Sequence, residues 1–354
     1  MTILKFDQVA IYFIALSAFL FLVNIILKKS AFCLDTKSAN DQKHKNLLNK
    51  ERIAIPLSGS LYFFAVFVII LLFFNFDISV IFPATFFLLL GFCSDVNFLN
   101  SPKIRMAIQA LFIAICIMLN PSLNLEIRIT IIDNLLHYEL FRVFFIAFLL
   151  LTLANGYNFI DGTNLLASLN FLVISIFLFL ININFNENPY NEFLFFLIIS
   201  LSVFALFNFF GKNFLGDGGT YGLSIFFGLY IILAIPNIKS ISPYFVANLL
   251  FYPAFENLFT ILRRVVCKIK SFSPDNDHLH HLLFRYFKNK NFLQKNYARS
   301  SMVGIVINSY FFLSTFLAYN FISKTIVQIA IIATSILFYL FFYFLLRNFL
   351  NKKK

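Results

Sequence analysis

From residue 8 to residue 347 the chain is a succession of long apolar runs separated by short polar breaks. A helix rises about 1.5 Å per residue, so about 20 apolar residues cross a hydrocarbon core of about 30 Å. Eleven runs approach that length: 8–27, 53–75, 78–93, 104–120, 140–155, 165–182, 192–210, 219–235, 243–263, 301–319 and 326–347. In lipid, helices satisfy every backbone N–H and C=O within one segment, whereas a barrel would show weak alternation over about ten residues. The expected fold class is therefore an all-α polytopic membrane protein of about eleven transmembrane helices, one integral domain over residues 1–354.

Composition agrees: 60% hydrophobic and 12% charged residues exclude both a soluble globule and a disordered chain. The heavy use of Phe, Ile, Asn and Lys resembles an AT-rich coding bias, which lowers the weight of any single Asn. Residues 8–27 form a full-length span with a Lys cluster behind it, unlike the short apolar segment and small-residue site of a cleaved leader. Cys33, Cys93, Cys116 and Cys267 show no ligand spacing and are expected to be reduced.

A net charge of +12 invites a nucleic-acid reading, but the placement of the charge points elsewhere. Of 28 Lys and Arg residues, 23 fall in the alternate segments 28–52, 92–105, 211–218 and 263–300 and at the C-terminal end. The positive-inside rule then places the N-terminus outside and the C-terminus in the cytoplasm, with anionic lipid rather than nucleic acid as the partner of the surplus charge. The same segments hold nearly all the unusual polar residues, so an active groove is expected on the cytoplasmic face.

Four segments on the expected cytoplasmic face carry chemistry. GFCSDVNFLN (91–100) places Ser94 and Asp95 just past an apolar run, with Lys103 and Arg105 opening the next helix. Alone it reads equally as a helix end with snorkelling cations or as the wall of a site. NGYNFIDGTN (155–164) is more polar than a turn requires. Asn155, Asn158 and Asp161 lie three apart, on one face of a helical turn; amides suit a sugar or a base, and Asp161 a cation or a hydroxyl. An Asn-rich turn is the plain alternative.

GKNFLGDGGT (211–220) surrounds Asp217 with glycines that allow positive φ and close backbone approach to phosphate. A carboxylate there suits Mg²⁺ held together with substrate phosphates, against the alternative of a simple Gly-rich turn. Segment 263–300, the longest and most basic, contains Arg263, Arg264 and SPDNDHLHH (273–281). His278, His280 and His281 lack the i, i+4 pairing of a helical zinc site, and the cationic surroundings favour phosphate over metal; a solvated histidine run is the bland reading. Glu256 lies inside the ninth run, where an acid is a functional candidate by default, and Arg263 is its expected partner. Taken together, these groups suit polyphosphate chemistry against a lipid-borne acceptor, with Mg²⁺ neutralising a pyrophosphate and cationic side chains stabilising the developing charge.

In order along the chain, these segments resemble the motifs of the polyprenyl-phosphate N-acetylhexosamine-1-phosphate transferases. Ile55-Pro56-Leu57-Ser58-Gly59 is similar to the family's Pro-x-x-Gly-Gly turn, and GFCSD with SPKIRMAIQ to its Gly-x-x-Asp-Asp segment and following helix. NGYNFIDGTN, FLGDGGT and the combination of PAFE, LRR and SPDNDHLHH are similar to the remaining three motifs, the last closer to the UDP-GlcNAc branch than to the phospho-MurNAc-pentapeptide branch. The resemblance implies a dimeric helical bundle in the bacterial inner (cytoplasmic) membrane. It implies transfer of a HexNAc-1-phosphate from a UDP-sugar to undecaprenyl phosphate, releasing UMP, with Mg²⁺ or Mn²⁺ as cofactor. Such a step initiates a lipid-linked cell-surface glycan, as in lipopolysaccharide O-antigen or capsule synthesis. By matching position Asp217 would hold Mg²⁺, and Asp95 would assist it or orient the lipid phosphate. Phe214 and the turn from Gly162 to Asn164 would hold uracil. Asn155, Asn158 and Asp161 would order the nucleotide sugar and the reacting groups, and His278, His280 and His281 would meet the phosphates. Ser94, Lys103 and Arg105 would complete the substrate wall.

The chain departs from the family pattern at four places. Ser94 replaces the first Asp of a pair, Ser60 a Gly, Leu165 a Gly, and Asn276 the Arg of the histidine motif. A phosphate monoester is already largely ionised near neutral pH, its second pKa being about 6, so loss of a base at Ser94 is compatible with activity. A weakened member that binds nucleotide sugar without turnover is the alternative. A transporter would place its polar residues near the midplane, which this sequence does not. No large insertion suited to a peptide-bearing donor is present, which favours an unmodified or deoxy N-acetylhexosamine.

Overall fold

The computed structural model describes residues 6–35, 54–74, 76–185, 191–236, 238–268 and 277–352. Helix α1 (Phe6–Ser30) leads into a two-stranded antiparallel ribbon, β1 (Leu34–Asp35) with β2 (Ile55–Pro56), in which Leu34 faces Pro56 and Asp35 faces Ile55. Then follow α2 (Gly59–Phe73), α3 (Ile78–Asp95), α4 (Pro102–Leu119), the short α5 (Thr130–Leu136), α6 (Glu139–Ile160), α7 (Leu166–Phe185) and α8 (Asn191–Phe209). The chain closes with α9 (Gly216–Ala234), α10 (Pro243–Leu249), α11 (Phe251–Val266), α12 (Leu279–Asn289), α13 (Asn296–Asn320) and α14 (Thr325–Asn351). Most of the basic stretch 28–52, and Ser273 to Asn276 of the histidine motif, lie outside the described residues.

Apart from the short ribbon, the architecture is helical and polytopic and follows the apolar runs. Among the described residues nine helices are long and apolar enough to cross a membrane, or ten when the bent pair α10 and α11 counts as one span. Two of the eleven expected spans differ from a simple rod. The run 53–75 gives only the 15-residue α2, because Ile55 and Pro56 are used in the ribbon. The run 243–263 is two helices meeting at 76°. Pro253 accounts for the break: in a continuous helix its ring would meet the carbonyl of Leu249, the residue at which α10 ends. Beyond the break α11 is strongly two-faced, burying Glu256, Asn257, Thr260, Arg263 and Arg264 while Leu258, Ile261, Leu262, Val265 and Val266 stay exposed.

Helix α9 runs through the middle of the bundle against α2, α3 and α6, and every residue from Gly218 to Ile232 is buried. Close approach of α3 depends on paired glycines: a Cβ on Gly91 would collide with the backbone of Gly218. Outward faces of α1, α4 and α14 expose large apolar side chains such as Ile14, Leu119 and Phe341, the surface that lipid would cover.

Candidate active site

The polar motifs meet at the N-terminus of α9. Asp95, the last residue of α3, is buried there; its Oδ1 accepts from the Asp217 N–H at 2.9 Å and its Oδ2 from the Gly218 N–H at 3.1 Å. The Ser60 hydroxyl donates to the same Oδ2 at 3.3 Å. Asp161, at the C-cap of α6, accepts from the Gly216 N–H at 3.1 Å. The first three amides of α9 have no partner inside the helix, and carboxylates from two other helices cover all three. Negative charge at the positive end of the helix dipole is favourable, and charge-assisted bonds to N–H groups are strong. Gly216 makes the junction possible: its φ is +73°, and a Cβ there would run into the Asp95 carboxylate.

Asp217 projects from this frame. Its Oδ2 accepts from Ser94 Oγ at 2.7 Å and from Arg105 Nη1 at 2.8 Å, and the same guanidinium nitrogen also reaches Ser94 Oγ. Arg105 comes from the first turn of α4, which is started by Pro102 and by Ser101 as its N-cap. The Arg105 and Asp217 side chains are 17% and 16% exposed, so the pair sits at the lip of the site rather than inside the core. Lys103 is exposed on the same turn of α4.

The amide-rich segment lies alongside. Asn155 and Asn158 ride on the last turns of α6, half-buried, and Asn155 Nδ2 donates back to the Leu151 carbonyl at 2.8 Å. Asn164 is buried: its N–H donates to Ser300 Oγ at 2.8 Å and its Nδ2 to Ser301 Oγ at 3.4 Å. Leu165 adopts φ +66°, a left-handed conformation unusual for a branched side chain. Two amides hold it there. Asn208 Oδ1 accepts the Leu165 N–H at 2.5 Å while Asn208 Nδ2 donates to the Asn213 carbonyl at 2.6 Å, tying this turn to the loop before α9. Asn308 Nδ2 donates to the carbonyls of Leu165 and Leu166 at 3.3 and 3.0 Å. Sequence reasoning missed Asn208 and Asn308; the available signal was an amide inside an otherwise apolar helix, discounted because Asn is abundant in this chain.

Phe214 is buried in a small apolar cluster with Val23, Leu27, Cys33, Ile55 and Leu57. Its backbone is stitched to the ribbon end, the N–H donating to the Pro56 carbonyl at 3.0 Å and the carbonyl accepting from Gly59 at 3.2 Å. This packing gives the ring the support of the loop as its visible task.

The histidines form a compact group against Gly162, the residue after Asp161. His280 and His281 have ring centroids 4.3 Å apart, and His278 stacks on His280 at 5.4 Å. Gly162 leaves room for them: a Cβ there would fall 2.8 Å from His280 Nε2 and 3.0 Å from His281 Nε2. Glu256 is not paired with Arg263. Its Oε1 lies 2.9 Å from His278 Nδ1 and its Oε2 accepts from the Tyr339 hydroxyl at 2.8 Å. Arg263 approaches Asp277 at 4.0 Å, and Asp277 also accepts from Arg285 Nη2 at 3.0 Å.

Among the described residues no group of three or more His, Cys, Asp or Glu is arranged to hold a metal. Mg²⁺ does not require one, since it is commonly held by one or two carboxylates together with substrate phosphates and water. Asp217, partly exposed at the lip, fits such an anchor; Asp95, with both oxygens on α9 amides, fits the role of its support.

The fold is that of a multi-pass helical membrane protein, and its polar motifs gather at one helix N-terminus. Residues 77–235 match the sequence model of glycosyl transferase family 4. That match runs from α3 to α9 and includes Asp95, Asp161 and Asp217; it supports the family read from the motifs and indicates a transferase. The histidine group lies outside the matched residues. A search of curated proteins finds no match to the chain.

Proposed function

We propose that this chain transfers a HexNAc-1-phosphate from a UDP-sugar to undecaprenyl phosphate at the cytoplasmic face of a bacterial inner membrane, initiating a cell-surface glycan. The observation that carries the proposal is the convergence of Asp95, Asp161 and Asp217 on the first turn of α9, inside the segment that matches the transferase family.

In this reaction an oxygen of the lipid phosphate attacks the β-phosphorus of the UDP-sugar. A new P–O bond forms, the bond from that phosphorus to the oxygen bridging the two phosphates breaks, and UMP leaves with the electron pair. Asp217 would hold Mg²⁺ (or Mn²⁺), which would neutralise the diphosphate charge when bound. Arg105 and Lys103 open α4 at the lip, where cations would receive the lipid phosphate. His278, His280 and His281 would meet the donor phosphates. Asn155, Asn158, Gly162 and Asn164 would hold the nucleotide sugar beside Asp161, with Phe214 fixing the loop beneath the base. Ser94 is no base, and none is required: the acceptor is already largely ionised at neutral pH, with a second pKa of about 6.

A second reading, a member that binds nucleotide sugar without turnover, is favoured by one observation: Arg105 already engages Asp217 Oδ2 where the family has a second Asp in place of Ser94. One assay separates the two. Purified protein should release UMP from a UDP-HexNAc only when undecaprenyl phosphate and Mg²⁺ are both present, and Asp217→Ala should abolish release. Binding of the UDP-sugar with no UMP release across a panel of donors would establish the second reading instead. Homodimerisation is part of the proposal and is read from the mass of the detergent-solubilised protein.

A further inference from the structure

We propose that Tyr339 and Glu256 are positioning residues of the histidine group, holding His278 with its proton on Nδ1 so that Nε2 is the ring nitrogen left for substrate phosphate. The assignment of phosphate to these histidines rests on the transferase reading above; the relay of hydrogen bonds stands on geometry alone.

Glu256 is fully buried on the inner face of α11, just beyond the break at Leu250. A carboxylate without partners in such a place is prohibitively unfavourable, so what it contacts defines its purpose. Its two oxygens are divided between two elements that are remote in sequence. Oε1 faces His278 Nδ1 at 2.9 Å at the N-cap of α12, and Oε2 accepts from the Tyr339 hydroxyl at 2.8 Å on α14. Tyr339 is itself 3% exposed and enclosed by Phe255, Phe259 and Tyr252, with ring centroids at 4.9, 5.4 and 6.5 Å. Water is kept from the relay, and hydrogen bonds in such a low-dielectric setting are strong and directional.

An ionised carboxylate can only accept, so its contact with Nδ1 requires the proton on that nitrogen. Thr260 Oγ1, 3.3 Å from the same atom, flanks the contact, and the Phe159 ring lies 5.4 Å from the imidazole. With Nδ1 committed, Nε2 is left either to accept a proton or, once protonated, to donate to a phosphate oxygen while Glu256 balances the charge from behind. Fixing His278 also fixes its stacking partner His280, and through it the pair of rings seated against Gly162. The relay therefore couples α14, far outside the segment that matches the transferase family, to the turn that bears Asp161.

The test uses the full chain in detergent or nanodiscs with ¹⁵N-labelled histidine. The His278 resonances are identified by their loss in His278→Asn, and long-range proton–nitrogen correlations read which ring nitrogen carries the proton. Wild type should show His278 protonated at Nδ1. Glu256→Ala should move the proton to Nε2, the form a free neutral imidazole prefers, and the isosteric Glu256→Gln, whose amide oxygen can still accept, should restore Nδ1–H. An Nε2–H form of His278 in wild type, or the same tautomer in wild type and Glu256→Ala, overturns the inference. In the UMP-release assay Tyr339→Phe should lower kcat by about tenfold with the donor KM little changed, the pattern of an interaction that matters in the transition state. An unchanged kcat in Tyr339→Phe would remove Tyr339 from the relay. Absence of UMP release in the wild type overturns the transferase reading alone, because the tautomer result is obtained without turnover.

Discussion

Asp95 Oδ1 accepts a hydrogen bond from the backbone N–H of Asp217 at 2.9 Å, so one motif acid holds in place the residue that carries another. The second Asp95 oxygen takes the next amide, from Gly218, and Asp161 takes the preceding one, from Gly216. Two of the three motif aspartates, Asp95 and Asp161, thus build the platform on which the third, Asp217, stands. Their conjunction explains why a charge is tolerated at the end of an apolar helix: the free amides of α9 replace the water that Asp95 has lost.

This arrangement separates Asp95 from Asp217 by experiment. Asp95→Asn places an NH₂ group against backbone N–H donors, and should destabilise the folded protein by about 1–3 kcal/mol, the penalty of leaving a buried polar group unsatisfied. Asp217→Asn, at the lip and facing Arg105, should change stability by less than about 1 kcal/mol, as for a partly exposed ion pair. Thermal unfolding of the two variants in the same detergent checks the order. Equal melting temperatures would remove Asp95 from its capping role.

The neutral residue at position 94 yields a prediction of opposite sign. Ser94 Oγ donates to Asp217 Oδ2 at 2.7 Å, so Ser94→Asp brings a second carboxylate beside the first, with Arg105 already in reach of both positions. Two adjacent hard oxygen donors attract a divalent cation more strongly than one, and the Mg²⁺ concentration for half-maximal UMP release should fall by about tenfold. A magnesium titration of wild type and variant measures it. An unchanged midpoint would argue that the cation is held away from Asp217.

Much of this was legible in the sequence, for reasons that differ by level. The spans are legible because lipid leaves a chain few alternatives, and Asp95, Asp161 and Asp217 stand out because each is a charge at the edge of an apolar run. Even the break within 243–263 has a readable cause in Pro253, whose ring conflicts with the carbonyl four residues back. Pairings were not legible. Arg263 lies seven residues beyond Glu256, roughly on the same face of α11, yet Glu256 meets His278 and Tyr339 from elements remote in sequence, and no local pattern encodes that. Nor were Asn208 and Asn308 visible. In a chain rich in Asn, only the tertiary structure shows which amides carry the turn at Leu165.

That turn makes an unusual prediction about glycine. Leu165 is 4% exposed and has φ +66°, so both Leu165→Ala and Leu165→Gly lose buried side chain, but only alanine retains the left-handed strain. Glycine should therefore be the better tolerated of the two by about 1 kcal/mol, the reverse of their order within a helix. Paired melting curves decide it, and alanine melting at or above glycine would show that the strain at this residue is negligible.

Gly162 offers the most direct probe of the site as a whole. It sits between Asp161, which caps α9, and the rings of His280 and His281, whose Nε2 atoms lie 2.8 and 3.0 Å from where a Cβ would be. Gly162→Ala must push the ends of two buried imidazoles that touch each other at a ring separation of 4.3 Å. The backbone around Asp161 and Gly216 need not move, so the fold should survive with a loss of stability of about 1 kcal/mol, at the low end of overpacking penalties. If these rings meet the substrate phosphates as proposed, displacing them should reduce turnover, by about 100-fold for a shift of about 1 Å. Melting temperature and UMP release measured on the same preparation check both halves. Full activity in Gly162→Ala would exclude His280 and His281 from contact with the reacting phosphates.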